Sequence, residues 1–157
     1  MVRAVFAQDL SRTRDRDTRS IMEPWAREML DVWEAKIPEI AEATAAENRG
    51  LVGGYTAEDF AQMIRGARAM MAEELEGQPT GLREEYFDTV VPGVVAQGEK
   101  VTAMAASDIS MAIRIAIAVL PTLSPQNKAA ATEFFVEWQA KLLVQLIEVA
   151  LAAGAKT

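Results

Sequence analysis

Ser107, Asp108, Ser110 and Arg114 interrupt a run from Val101 to Leu120 that is apolar apart from these and Thr102. Two hydroxyls, a carboxylate and a guanidinium within eight positions have the groups for a small polar or anion-binding spot. The same groups also satisfy their polarity by facing a helix end or water, so both readings stand at this level. Adjacent carboxylates occur at Glu73-Glu74 and Glu84-Glu85. Neighbours on a helix point about 100° apart, which rules out a dyad sharing one proton and leaves solvated faces. The glycines at 50, 53 and 54 lack the further glycine and the preceding strand that a phosphate-cradling loop needs. The chain has no histidine and no cysteine. That removes the usual acid-base imidazole, the thiol nucleophile, zinc-thiolate and iron-sulfur sites, the proximal haem ligand and the Glu-x-x-His di-iron design. Only Ser, Thr, Lys, Tyr and carboxylates remain for covalent or proton chemistry, so neither an enzyme nor a cofactor is expected.

A chain of 157 residues, half of them hydrophobic and a quarter charged, suits one domain with its own core. The absence of cysteine fits a reducing cytoplasm. The charge of −7 is uneven: residues 1–20 carry five Arg against three Asp, and the rest carries eleven basic against twenty acidic groups. Such an acidic body is a poor surface for nucleic acid, whose binding rests on phosphate neutralisation. No signal peptide is expected in Met1–Leu10, and the most apolar run, Ile109–Leu123, reads as a core helix, too short to span a bilayer and broken by Arg114 and Pro121. A cytoplasmic protein without membrane contact is the expectation.

Residues 1–19 read as a solvated, mixed-charge tail, and 20–157 as a single helical domain. Ser20 and Pro24 suit a helix start, and Trp25, Met29, Val32 and Trp33 share one face. Pro38 either kinks this helix or begins the next, which runs to Arg49-Gly50. Thr56 and Asp59 form a capping-box pattern before a helix over 57–75. After the turn-rich EGQPTG, Leu82 to Gly98 has helical spacing with a kink at Pro92-Gly93; its valines leave a strand as the alternative. Val101–Leu120 is a central helix ended by Pro121, and Ser124-Pro125 starts the last one, which runs to Gly154. The fold class is therefore all-α, with five to six main helices.

The last helix has one polar stripe of Glu133, Glu137, Lys141, Gln145 and Glu148, and is apolar elsewhere. A single core face does not cover so wide an apolar arc, so the helix is either wrapped centrally or shared with a second copy. A homodimer through Phe134, Trp138, Leu142 and Val149 is the expectation. Methionines are adaptable, so Met63, Met70, Met71, Met104 and Met111, with Trp33, are candidates to line an apolar cavity, against the plainer reading as core.

From Trp25 onward the chain resembles the amino-terminal non-haem globin-like sensor domain of RsbR-type stressosome co-antagonists. The pattern is Trp25 and Trp33 in an opening W-x7-W helix, then VVPGVVAQGEKVTAMAASDISMAIRIAIAVL and, after a Ser-Pro turn, FFVEWQAKLLVQLIEVALAAG. The resemblance implies a haem-free globin-like fold, dimerisation through this domain, stressosome or other regulatory partners and a downstream STAS domain. A related haem-less globin sensor holds a fatty acid in its emptied cavity. The alternatives are such a sensor, for a fatty acid or another apolar small molecule, and a ligand-free helical adaptor whose last helix docks a partner protein.

Overall fold

The computed structural model describes residues 22–49, 54–78 and 80–157. The expected tail over 1–19 and the Ser20 cap lie outside them. All regular structure among the described residues is helical, as the periodicity required. The elements are α1 (Pro24–Glu47), α2 (Ala57–Glu76), α3 (Leu82–Glu85), a π-helical turn (Tyr86–Val90), α4 (Val91–Ala96), α5 (Val101–Val119), a 3-10 turn (Leu120–Thr122) and α6 (Pro125–Ala152).

Helix α1 is the hub, packed on α2, α5 and α6. Its buried residues, Met29, Leu30, Trp33, Ile37, Ile40, Ala41 and Thr44, recur every three or four positions. This stripe explains why Pro38 neither breaks the helix nor starts a new one. Proline inside a helix costs about 3 kcal/mol. Trp33, Ile37 and Ile40 are each essentially inaccessible around it, and full burial of such a side chain contributes about 1.5–3 kcal/mol apiece. The stripe outweighs the proline, whose ring faces solvent.

Helix α2 begins with the expected capping box: the Thr56 hydroxyl accepts from the Asp59 amide at 3.2 Å, and Asp59 Oδ2 accepts from the Thr56 amide at 2.7 Å. Gly77 closes it in the left-handed region at φ +67°. The turn that follows is pinned by Glu73, a buried carboxylate accepting from the amides of Thr80 and Gly81. From Leu82 the chain is helical to Ala96, which settles the strand alternative. The irregularity in it is the π turn, which ends two residues before Pro92.

Helices α5 and α6 form an antiparallel pair joined by the 3-10 turn, and the Val101 amide donates to the Lys156 carbonyl at the far end. Ser124 stands at the start of α6 but its hydroxyl does not cap it. Instead Glu28 of α1 accepts from the Ser124 hydroxyl at 2.7 Å and amide at 2.9 Å, and from Asn127. These donors hold the Glu28 carboxyl below its usual range, Asn127 most strongly. Val101–Thr122 is longer than the apolar run read from sequence, and by length and composition alone it suffices to cross a membrane. Within the fold it is tied to α1 and α6 through its polar residues.

Candidate functional site

The polar interruption of α5 divides between two sides of the helix. Ser110 and Arg114 face α1, where the Ser110 hydroxyl donates to Glu47 Oε2 at 2.9 Å, Asn48 donates to Ser110 at 3.0 Å and Arg114 pairs with Glu47. Ser107 and Asp108 face the other way, into a cavity of about 430 Å³ between α2, the π turn, α4, α5 and α6. The four groups are thus not one spot. The only cation among them is engaged with a carboxylate, so the anion-binding reading of this cluster does not hold.

The cavity wall is mostly apolar. Met63, Ala67 and Met70 come from α2, Tyr86, Val90, Val91 and Val94 from the π turn and α4, Met104 and Met111 from α5, and Leu142 and Leu146 from α6. The volume falls in the range of small-molecule sites, roughly 300–1,000 Å³. Four of its wall residues are methionines, whose unbranched, polarisable side chains adapt to irregular shapes. It opens past Gln62, Gly66, Glu85 and Val90, all exposed. Gly66 sits inside α2, where glycine costs about 1 kcal/mol relative to alanine, and a Cβ there would meet nothing within 4 Å. Packing does not require this glycine; a side chain there would lie at the cavity mouth.

Asp108 is the chemically distinctive wall residue. It is 7% exposed, and Gln139 of α6 donates to its Oδ2 at 3.1 Å. It forms no ion pair among the described residues. Burial in this wall pushes its carboxyl up to about 6, against a smaller opposing effect of the Gln139 hydrogen bond. Burial, and then the nearby Asp108, push the Tyr86 phenol upward as well. Tyr55 at the edge is raised by burial and by the charges of Glu99 and Asp59. Glu85 and Glu99 complete the ionisable lining, which among the described residues includes no lysine or arginine.

Of the residues expected to line an apolar cavity, Met63, Met70, Met104 and Met111 do so, whereas Met71, buried in the core, and Trp33 do not. Trp33 is fully enclosed in the core against Phe135, ring centroids 6.0 Å apart. The expected interface on the last helix needs correction. Trp138 and Leu142 are each 3% exposed within the single chain, and the Trp138 indole donates to Glu74 Oε2 at 2.7 Å. Phe134 is partly buried against Trp25, at 5.5 Å between ring centroids, and Val149 packs on the core. The helix packs against α1, α4 and α5, so Trp138 and Leu142 face inward and are not free for an interface, while Phe134 and Val149 are partly exposed. Its exposed apolar side chains are Val136, Val144 and Leu151.

Sequence reasoning does not single out Tyr86 or the role of Asp108. Asp108 carried a signal, a lone carboxylate on an otherwise apolar helix, but nothing in the sequence distinguished a cavity wall from solvent. No protein-family model matches the chain, and no curated protein or solved structure does either.

Proposed function

We propose that this chain is a non-catalytic, haem-free ligand-sensing domain, which takes an apolar small molecule into the cavity between α2, the π turn, α4, α5 and α6. The observation that carries this reading is the cavity itself: an apolar, methionine-rich wall with one buried carboxylate and an open mouth at Gly66. Its walls come from most of the helices, so an occupant would bias how α4 and the π turn sit on α5 and α6. π turns within helices occur frequently at functional sites, which agrees with this placement. No reactive pair of nucleophile and base lines the cavity, which favours binding over catalysis. In this reading the domain is a globin-like sensor of the RsbR type, working in the cytoplasm and passing occupancy on to regulatory partners.

The experiment is a calorimetric titration with decanol, a neutral amphiphile of fitting length, repeated on Gly66→Trp. The wild type binds one equivalent, and the variant loses it while keeping its helical circular dichroism. Absence of saturable binding to the wild type would end the reading.

A second reading concerns assembly, and a separate observation favours it. Six of the exposed large hydrophobics lie on the adjacent helices α5 and α6: Ile109, Ile113 and Ile117 at four-residue spacing, and Val136, Val144 and Leu151. We assign this face, rather than the one holding Trp138, to a homodimer with the same helices of a second copy. Light scattering at micromolar concentration tests it: the wild type has twice the chain mass and Ile113→Glu the mass of one chain. A wild-type monomer would refute the dimer and leave the face to another partner.

A further inference from the structure

The identity of the wall's charges restricts what the cavity takes. Its ionisable groups, Glu85, Glu99 and Asp108, apart from the tyrosines, are all acidic. Two arginines close in sequence to wall residues are engaged elsewhere. Arg83 donates to Gln145 at 2.8 Å and lies over the Phe87 ring, and Arg114 pairs with Glu47. A fatty-acid carboxylate would thus enter a low-dielectric space facing a buried carboxyl, with no basic group in the lining among the described residues to meet it, and like charges in such a space repel strongly. The buried carboxyl itself has a neutral amide as its hydrogen-bond partner, although buried carboxylates ordinarily have a cation or several donors. What it lacks is a positive charge. Tyr55 and Tyr86 add aromatic faces in the same wall, and aromatic faces attract cations.

Resting on the reading of this cavity as a binding site, we propose that its ligand class is the hydrophobic cation: an alkyl or aromatic body bearing one positively charged nitrogen, with the Asp108 carboxylate as counter-ion. The methionine and valine wall takes the apolar body, and Glu85 and Glu99 toward the opening attract the cation from solution. A neutral alcohol of the same length gains the apolar contacts alone. An anionic analogue gains those contacts and meets the acidic wall.

Decyltrimethylammonium, decanol and decanoate, below their micellar concentrations at pH 7.5, separate these contributions by calorimetry. The expected ranking on the wild type is the cation about ten- to hundredfold tighter than decanol, as for a charge-assisted buried contact, and decanoate weakest. In Asp108→Asn, decanol binding persists and shows the cavity intact, while the cation's advantage shrinks to a few-fold at most. Decanoate binding as tightly as the cation, or decanol matching the cation on the wild type, would overturn the assignment while leaving the cavity as a binding site. An unchanged cation affinity in Asp108→Asn would remove Asp108 as the counter-ion. If none of the three binds, the cavity is not a ligand site and this inference fails with it. The wild-type ranking decides the matter even if the variant does not fold.

Discussion

Replacing Asp108 by Asn should make the ligand-free protein more stable at alkaline pH. The carboxyl has an ordinary value of 3.8 in an open chain and is raised to about 6 when buried in the cavity wall. A native value above the unfolded one means that stability is fully present below about pH 4 and is lost as pH rises through 6, because the native state must then hold a charge the unfolded chain solvates better. The gap corresponds to on the order of 3 kcal/mol above pH 7, and to about half of that at pH 5. Asparagine keeps the acceptor for Gln139 and cannot ionise, so it recovers most of this. For a chain of this size, 1 kcal/mol moves the melting temperature by about 2–4 °C, which predicts a rise of roughly 5–10 °C at pH 8 and a clearly smaller one at pH 5. The other titratable groups facing Asp108 are Glu85, Tyr86, Glu99 and Tyr55, which both proteins share. They are the same in both proteins, so the difference between the two reports on Asp108. Thermal circular dichroism of both proteins at the two pH values is the assay. Equal melting at pH 8, or a gain that does not shrink at pH 5, would refute the claim that Asp108 is buried without a charge partner. A group that destabilises the empty fold and is kept at a cavity wall is what a binding site tends to contain.

Thr56→Ala removes the hydroxyl of the capping box and should cost about 1 kcal/mol, read as a fall of about 2–4 °C in melting temperature. Trp138→Ala opens the core and frees Glu74 from its indole partner; urea unfolding should show a loss of about 3–5 kcal/mol, whereas a purely interfacial tryptophan would leave that of the dissociated chain unchanged. Added haemin should give no one-to-one complex with a defined axial-ligand spectrum, since no histidine or cysteine is present; a Soret titration with a sharp stoichiometric break would contradict this.

The helical elements were largely readable in the sequence because their signals are local. The Thr56-Asp59 box, the apolar spacing of α2 and Ser124-Pro125 each act within one or two turns. Where local signals compete with packing, the sequence ran out. Pro38 reads as a break, yet the core stripe through Trp33, Ile37 and Ile40 overrides it. Pro92-Gly93 reads as a kink, and the departure from regular geometry falls just before it, in the π turn. The width of the apolar arc on α6 was legible and its consequence was not. How many neighbours wrap a helix is a tertiary property: by pattern Trp138 and Leu142 suit an interface and Ile109, Ile113 and Ile117 a core, whereas in the fold the first two are buried and the three isoleucines exposed. Methionines at 63, 104 and 111 were visible as candidates, but whether they enclose space depends on the path of α3, α4 and the π turn beside them.

The most direct test of the cavity as a ligand site is methyl NMR of the protein labelled at its eight methionines, titrated with decanol. Saturable shifts should concentrate on Met63, Met70, Met104 and Met111, with Met29 and Met71, which are buried in the core away from the wall, nearly still. Shifts that do not saturate, or that fall equally on all six, would contradict it.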